Sequence, residues 1–156
     1  MIEIAVPGHK TLKLKYIVLD YNGTMAVDGR LIDGVKERLA ELSDKLAIHV
    51  LTADTFGKVR SALEGFAAEL SILPLEKQDV GKLNYIQKLG AEFAVCIGNG
   101  RNDRLMIATA ALGITVVQEE GAAFETLKAA DVVCTGIVPA LELLLNPLRL
   151  VATLRC

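Results

Sequence analysis

Histidine, cysteine and unbalanced charge are all scarce in this sequence, and each scarcity removes a class of function. Its 156 residues include two His and three Cys. His9, His49, Cys96, Cys134 and Cys156 stand far apart, without the paired spacing of a zinc site or a disulfide framework. Cys96 and Cys134 fall in apolar runs and are expected as buried strand thiols, with Cys156 exposed. Seventeen Lys and Arg against nineteen Asp and Glu give a net charge of −2. No basic footprint for nucleic acid or an anionic membrane is therefore expected. Long apolar runs are missing too, although 52% of the residues are hydrophobic. The longest stretch without a charge runs for 14 residues, Leu105 to Gln118, short of the roughly 18 to 20 that a membrane helix needs. The excess apolar content is assigned to a buried sheet or a subunit contact. The opening Met1-Ile2-Glu3-Ile4 lacks the basic start and apolar block of a secretory signal, so a cytoplasmic protein is expected. No repeat, low-complexity stretch or Pro/Gly/Ser-rich linker divides the chain, and residues 1–156 read as one domain.

What is present is an alternation of short apolar runs with helical periodicity. Ile2, Ile4 and Val6 alternate as in a strand, a turn follows at Pro7-Gly8-His9-Lys10, and Leu12 and Leu14 resume the pattern. That predicts an N-terminal β-hairpin feeding a central strand, Ile17-Val18-Leu19. Asp33 is placed to cap a helix carrying Val35, Leu39 and Leu42. The next apolar run spans Leu46 to Leu51, followed by a helix around Val59, Leu63 and Phe66. Further strands are expected near Ser71–Leu73, Phe93–Ile97, Ile114–Val117 and Val132–Cys134. Helices are expected around Leu83, Ile86 and Leu89, and from about Asn102 to Ala111. Strands apolar on both faces and separated by helices imply an α/β fold, a Rossmann-like parallel sheet with helices on both faces. Such sheets bind ligands outside the carboxyl ends of their strands. The residues that follow the runs are Asp20, Thr52 and Gly98-Asn99-Gly100, which would converge on one edge.

Four segments in order sharpen this: Leu19-Asp20-Tyr21-Asn22-Gly23-Thr24, Leu51-Thr52-Ala53-Asp54, Lys82, and Gly98-Asn99-Gly100-Arg101-Asn102-Asp103. Together they resemble the four motifs of the haloacid dehalogenase-like superfamily. Within it they look most like the phosphorylation domain of P-type ATPases, whose motifs read DKTGT, TGD and GDGxND. The likeness runs from about Tyr16 to Thr135. It implies an in-line nucleophile at Asp20. Phosphoryl oxygens would be met by Thr52, Ala53, Lys82 and the backbone amides around Tyr21, Asn22 and Gly23. It also implies Mg²⁺ held by the Asp20 carboxylate, the Asn22 carbonyl, Asn99 and Asp103. Lys82 is preferred to Lys77 because Tyr85, Ile86 and Leu89 put it at the head of an amphipathic helix.

Two positions depart from the pattern. Phosphatases of the superfamily carry a general acid two residues after the nucleophile, where this chain has Asn22. An amide cannot shuttle that proton, a role typically worth about 10²–10⁴ in rate. The leading Asp of the last motif is Asn99, which removes a charge from the metal site. A charge pair about 4 Å apart at an effective dielectric near 20 interacts by about 4 kcal/mol, an upper bound on the loss because the amide oxygen still ligates. Thirty positions separate Asn22 from Thr52, and thirty separate Thr52 from Lys82. Neither gap holds a cap domain, and the first holds only a short hairpin turning at Asp28-Gly29. The tail Leu141 to Leu154 has leucines at helical spacing and Pro147. It is expected to pack on the sheet, with part of it available for a homo-oligomeric contact.

The expectation is a capless, Mg²⁺-dependent phosphohydrolase-like protein that forms an aspartyl-phosphate on Asp20, slowly, from a phosphorylated substrate the sequence does not identify. The alternative is a degenerate relative that binds a phosphate, a nucleotide or a partner without turnover.

Overall fold

A computed structural model of the chain describes residues 1–53 and 59–156. Strands β1 (Ile2–Ala5) and β2 (Thr11–Leu14) pair antiparallel as the expected hairpin, burying Ile2, Ile4, Leu12 and Leu14. Strand β3 (Tyr16–Asp20) follows at once and enters the main sheet. A second hairpin, β4 (Ala26–Val27) with β5 (Arg30–Leu31), turns through Asp28 and Gly29, at φ 50° and 76°. Two central residues at positive φ are what a type I′ turn requires. Helix α1 (Val35–Ser43) buries Val35, Leu39 and Leu42, one apolar face at helical spacing. Asp33 does not cap it: the flanking residue is Gly34, and no side chain bonds the first turn.

The remaining elements are β6 (Ala47–Thr52), α2 (Val59–Ala62), β7 (Glu69–Ile72), α3 (Gln78–Leu89), β8 (Ala94–Gly98), α4 (Arg104–Thr109), β9 (Leu112–Val116), α5 (Phe124–Ala129), β10 (Val132–Cys134), α6 (Ile137–Leu145) and α7 (Pro147–Leu154). Six strands form one sheet in the order β10-β9-β8-β3-β6-β7, every neighbouring pair parallel. Strand β3 is therefore central, with Leu19 level with Val50 and Ile97 on either side. Ile17 and Leu19 pack in a cluster with Leu39, Leu42, Ala140 and Leu141 of α1 and α6. Val18 packs on the other face with Ile86, Met106 and Ile107 of α3 and α4. This is the doubly covered parallel sheet that the apolar runs imply.

Three local expectations change. The helix expected from Asn102 to Ala111 is a short 3₁₀ turn, Arg101–Asp103, running into the shorter α4. The Asp103 carboxylate accepts the Gly100 amide and so tightens that first turn. Lys82 lies in the second turn of α3, not at its head. Cys134 is half-buried, whereas Cys96 is buried and Cys156 exposed as expected. The tail makes two helices bent by 101° at Asn146-Pro147, because proline has no amide to continue the first. Leu141, Leu144 and Leu150 are buried, whereas Leu148 is 82% exposed. No helix among the described residues is long and apolar enough to cross a membrane.

Candidate active site

The period-2 alternation of β3 places Asp20 on the α3 side of the sheet, at the carboxyl end of the central strand. Lys82 reaches it from α3, and its Nζ donates to Asp20 Oδ1 and to Asp103 Oδ1, both at 2.6 Å. All three are buried: Asp20 is 6% exposed, Lys82 1% and Asp103 0%. The second oxygen of Asp103 accepts the amides of Asn99 (3.1 Å) and Gly100 (2.9 Å). Gly98 makes room for it. A Cβ there would lie 2.5 Å from the Asp103 carboxyl carbon, so the strand can end this close to the carboxylate only on glycine.

One ammonium thus faces two carboxylates. Burial, and then the Asp103 charge, push the Asp20 carboxyl up to about 7, against the lowering effect of Lys82 and Thr24. Burial works against the Lys82 ammonium, but the charges of Asp20 and Asp103 and their hydrogen bonds overcome it and hold Lys82 above the usual lysine range. With both carboxylates ionised the trio carries one net negative charge, a setting that favours arrival of a cation.

Of the residues expected from sequence, Asp20, Lys82, Asn99 and Asp103 meet directly. Thr52 is buried at the end of β6, one residue beyond the level of Asp20 on the adjacent strand, with Ala53 after it. Asp54 lies outside the described residues. The Tyr21 side chain is buried in the core, its hydroxyl 3.4 Å from the Gly29 carbonyl, so its contribution to a ligand reduces to backbone. The Gly23 amide donates to the Ala26 carbonyl at 2.8 Å and is already engaged. Asp103 Oδ1 accepts Lys82 Nζ and its Oδ2 accepts the amides of Asn99 and Gly100, so it orients Lys82 and the 98–100 loop.

Two residues escaped the sequence reading. The buried Thr24 hydroxyl lies 3.2 Å from Asp20 Oδ2 and 3.1 Å from Asn99 Oδ1, linking the first and last motifs. Its place in the first motif was the available signal. Gln118, in the turn after β9, has its Nε2 on the carbonyls of Gly23 (2.9 Å) and Thr24 (2.6 Å). Nothing local in the sequence marks it.

The described residues hold no group of three His, Cys, Asp or Glu side chains suited to a metal. The oxygens gathered here are mixed: Asp20 Oδ2 and Asn99 Oδ1, which share the Thr24 hydroxyl, and the Asp103 carboxylate; the resemblance adds the Asn22 backbone carbonyl. Asn99 Nδ2 is fixed on the Gly121 carbonyl at 2.9 Å, which turns its Oδ1 toward Thr24 and Asp20. Asn22 Oδ1 is buried and has no hydrogen-bond partner. An all-oxygen donor set fits a hard divalent cation.

No protein-family model matches the chain. Solved structures match most of it. The cobalt-bound deoxy-D-mannose-octulosonate 8-phosphate phosphatase of Haemophilus influenzae superposes with a TM-score of 0.67 at 19% identity, over 86% of this chain and 88% of that one. The 3-deoxy-D-manno-octulosonate 8-phosphate phosphatase of Moraxella catarrhalis, solved with magnesium, phosphate and the sugar acid, gives 0.66 at 18%, over 85% and 86%. A phosphoserine phosphatase gives 0.67 at 14%, over 85% and 98%. The fold is accordingly that of the haloacid dehalogenase-like phosphatases; the closer likeness to P-type ATPases rests on the motifs alone. In sequence, the chain belongs to the family of the "uncharacterized protein MJ0073" of Methanocaldococcus jannaschii, 42% identical over 82 residues, which are 50% of this chain and 88% of that protein. "Uncharacterized protein MJ0072" of the same organism is 54% identical over 39 residues, 25% of this chain and 89% of that protein.

Proposed function

We propose that this chain is a magnesium-dependent phosphohydrolase of slow turnover, a single capless domain that passes a phosphoryl group through Asp20. The observation that carries it is the buried Asp20–Lys82–Asp103 cluster at the carboxyl end of the central strand. A carboxylate oxygen of Asp20 attacks phosphorus, and the bond to the ester oxygen breaks. The departing alkoxide takes its proton from water, because Asn22 has none to give. Water then attacks the aspartyl-phosphate, the Asp20–phosphorus bond breaks, and inorganic phosphate leaves. Lys82 stays an ammonium throughout and meets the charge of the phosphoryl oxygens together with Thr52. Asp20, Asn99, Asp103 and the Asn22 carbonyl would hold magnesium, which when bound would supply further positive charge against those oxygens. The missing general acid slows turnover by about 10²–10⁴. This gives the acyl-phosphate a long life, as the resemblance to the ion pumps implies.

The solved relatives are named for an octulosonate 8-phosphate and for phosphoserine, and the chemistry these share is a phosphate monoester, which we take as the substrate class. The test is incubation with acetyl phosphate and Mg²⁺ followed by borohydride trapping of a phosphoaspartate. The expected adduct maps to Asp20 and disappears in Asp20→Asn. No adduct, together with no Asp20-dependent turnover across a panel of phosphate esters, rejects the proposal.

A second reading, binding without turnover, is favoured by Asn22 and Asn99 standing where acids are expected. Under it, Asn22→Asp combined with Asn99→Asp creates an activity the parent lacks, while the parent already binds beryllofluoride. We also infer that α7 forms a homo-oligomeric contact through the exposed Leu148. Light scattering of a chain truncated before Asn146 rejects this if the oligomeric state is unchanged.

A further inference from the structure

The turn that follows β9 makes three grips around the site, from Gln118, Glu120 and Gly121. Gln118 donates through Nε2 to the carbonyls of Gly23 and Thr24, while its Oε1 accepts the Ile137 amide at 3.0 Å, at the start of α6. Glu120 Oε1 accepts the Asp28 amide at the tip of the β4–β5 hairpin, at 2.9 Å. The Gly121 carbonyl accepts Asn99 Nδ2. The turn is closed on itself by the Gly121 amide on the Gln118 carbonyl at 2.7 Å, so these grips keep a fixed relation to one another. Ala123, just beyond, donates its amide to the Asn99 carbonyl at 2.8 Å.

We propose that Gln118–Gly121 is a positioning strap, in which Gln118 sets the first-motif loop and Gly121 sets the orientation of the Asn99 amide against it. Two consecutive carbonyls, those of Gly23 and Thr24, point at one donor. Without it they would turn toward solvent and take the Thr24 hydroxyl with them, and Thr24 is the group that joins Asp20 to Asn99. An unheld Asn99 amide is free to rotate and present Nδ2, a donor, where a cation needs an oxygen. The strap therefore does for the Asn99 amide what charge would do for an aspartate: it keeps the oxygen, not the nitrogen, turned toward Thr24 and the first-motif loop. Gln118 touches no reacting atom and acts through the loop it holds. Its effect on ligand binding rests on the phosphohydrolase reading, whereas the strap itself does not.

The test uses the full chain with Gln118→Glu, which keeps an oxygen for the Ile137 amide but loses the donor, and with Gln118→Met, an uncharged replacement. Amide exchange read by mass spectrometry in metal-free protein is expected to rise about tenfold or more at residues 23–26 in both, because the donations to the Gly23 and Thr24 carbonyls are both lost. In Gln118→Glu the amides of residues 137–140 stay as in the parent. Calorimetry with Mg²⁺ and beryllofluoride is expected to show affinity lower by about tenfold or more. Unchanged exchange at 23–26, or a change confined to 137–140, overturns the strap and leaves Gln118 as a helix cap. Undiminished beryllofluoride binding by a variant whose loop has loosened overturns its positioning role. Faster exchange at 23–26 with no beryllofluoride binding even by the parent upholds the strap and rejects the phosphoryl reading instead.

Discussion

Helix α3 carries two polar anchors one turn apart, set in opposite surroundings. Lys82 spans two carboxylates inside the protein, both at 2.6 Å. Tyr85 has its hydroxyl 2.9 Å from His49 Nδ1 and donates to Glu69 at 3.3 Å, and the Glu69 side chain is 67% exposed. Both clusters lie on the same face of the sheet, over neighbouring strands. In the first, Lys82 and Asp103 are paired with charges and backbone amides, and once Asp20 ionises there is one negative charge too many. In the second, burial holds His49 below its ordinary range against the pull of Glu69, so the ring stays neutral, and the one carboxylate keeps its water. A neutral hydrogen bond with an exposed end is ordinary scaffolding. A buried, charge-unbalanced trio costs stability unless a ligand completes it, and that imbalance separates the site from the structural cluster beside it.

Removing Lys82 should break the comparison most severely. Lys82→Met leaves two buried carboxylates unpaired, and urea unfolding at pH 8 is expected to show a loss of about 3–5 kcal/mol, together with loss of any aspartyl-phosphate. Asp20→Asn should act in the opposite direction. The Asp20 carboxyl is raised from 3.8 to about 7 in the folded chain, so the folded state keeps a proton that the unfolded state has released. Stability present below pH 4 is therefore lost as pH rises through 7, by about 4 kcal/mol. In chelator, Asp20→Asn is expected to unfold at higher urea than the parent at pH 8, with the gap closing toward pH 4. A parent whose stability is flat over that range would refute the imbalance. Gly98→Ala drives a methyl into the Asp103 carboxylate; it is expected to cost about 1–3 kcal/mol and to abolish beryllofluoride binding while the protein stays folded by circular dichroism. Tyr85→Phe should matter least, at about 0.5–1.5 kcal/mol, with beryllofluoride binding equal to the parent's. Weakened binding in that variant would show that the two anchors of α3 are coupled.

How much of this was legible depends on range. The strands were readable because burial on both faces demands continuous apolar runs such as Ile17-Val18-Leu19, and Asp20, Thr52 and Asn99 were placed near one another because they lie at the ends of such runs; the roles expected of them, and the choice of Lys82 and Asp103, came from the resemblance of the four motifs. The rule that a parallel sheet gathers its ligands at its carboxyl edge brings Asp20, Thr52 and Asn99 to one side, and no more than that. The Asp28-Gly29 turn was equally local. The start of α1 misled because Asp33 has the chemistry of a cap, and only the backbone decides that Gly34 stands in that place. The α4 boundary misled because the amides that shape it are bound by Asp103, a side chain whose position Lys82 and Asp20 determine.

By itself, then, the sequence determined the alternation of strands and helices, the order of the motifs and the replacement of two acids by Asn22 and Asn99. These are properties of neighbouring residues, and local sterics and burial periodicity write them into the chain. The tertiary structure decided that Lys82 spans both carboxylates, that Thr24 joins Asp20 to Asn99, and that Gln118 holds a loop 94 and 95 residues away in sequence. Contacts at that separation depend on how six strands stack their ends, and a lone glutamine after a strand carries no local trace of the carbonyls it will meet.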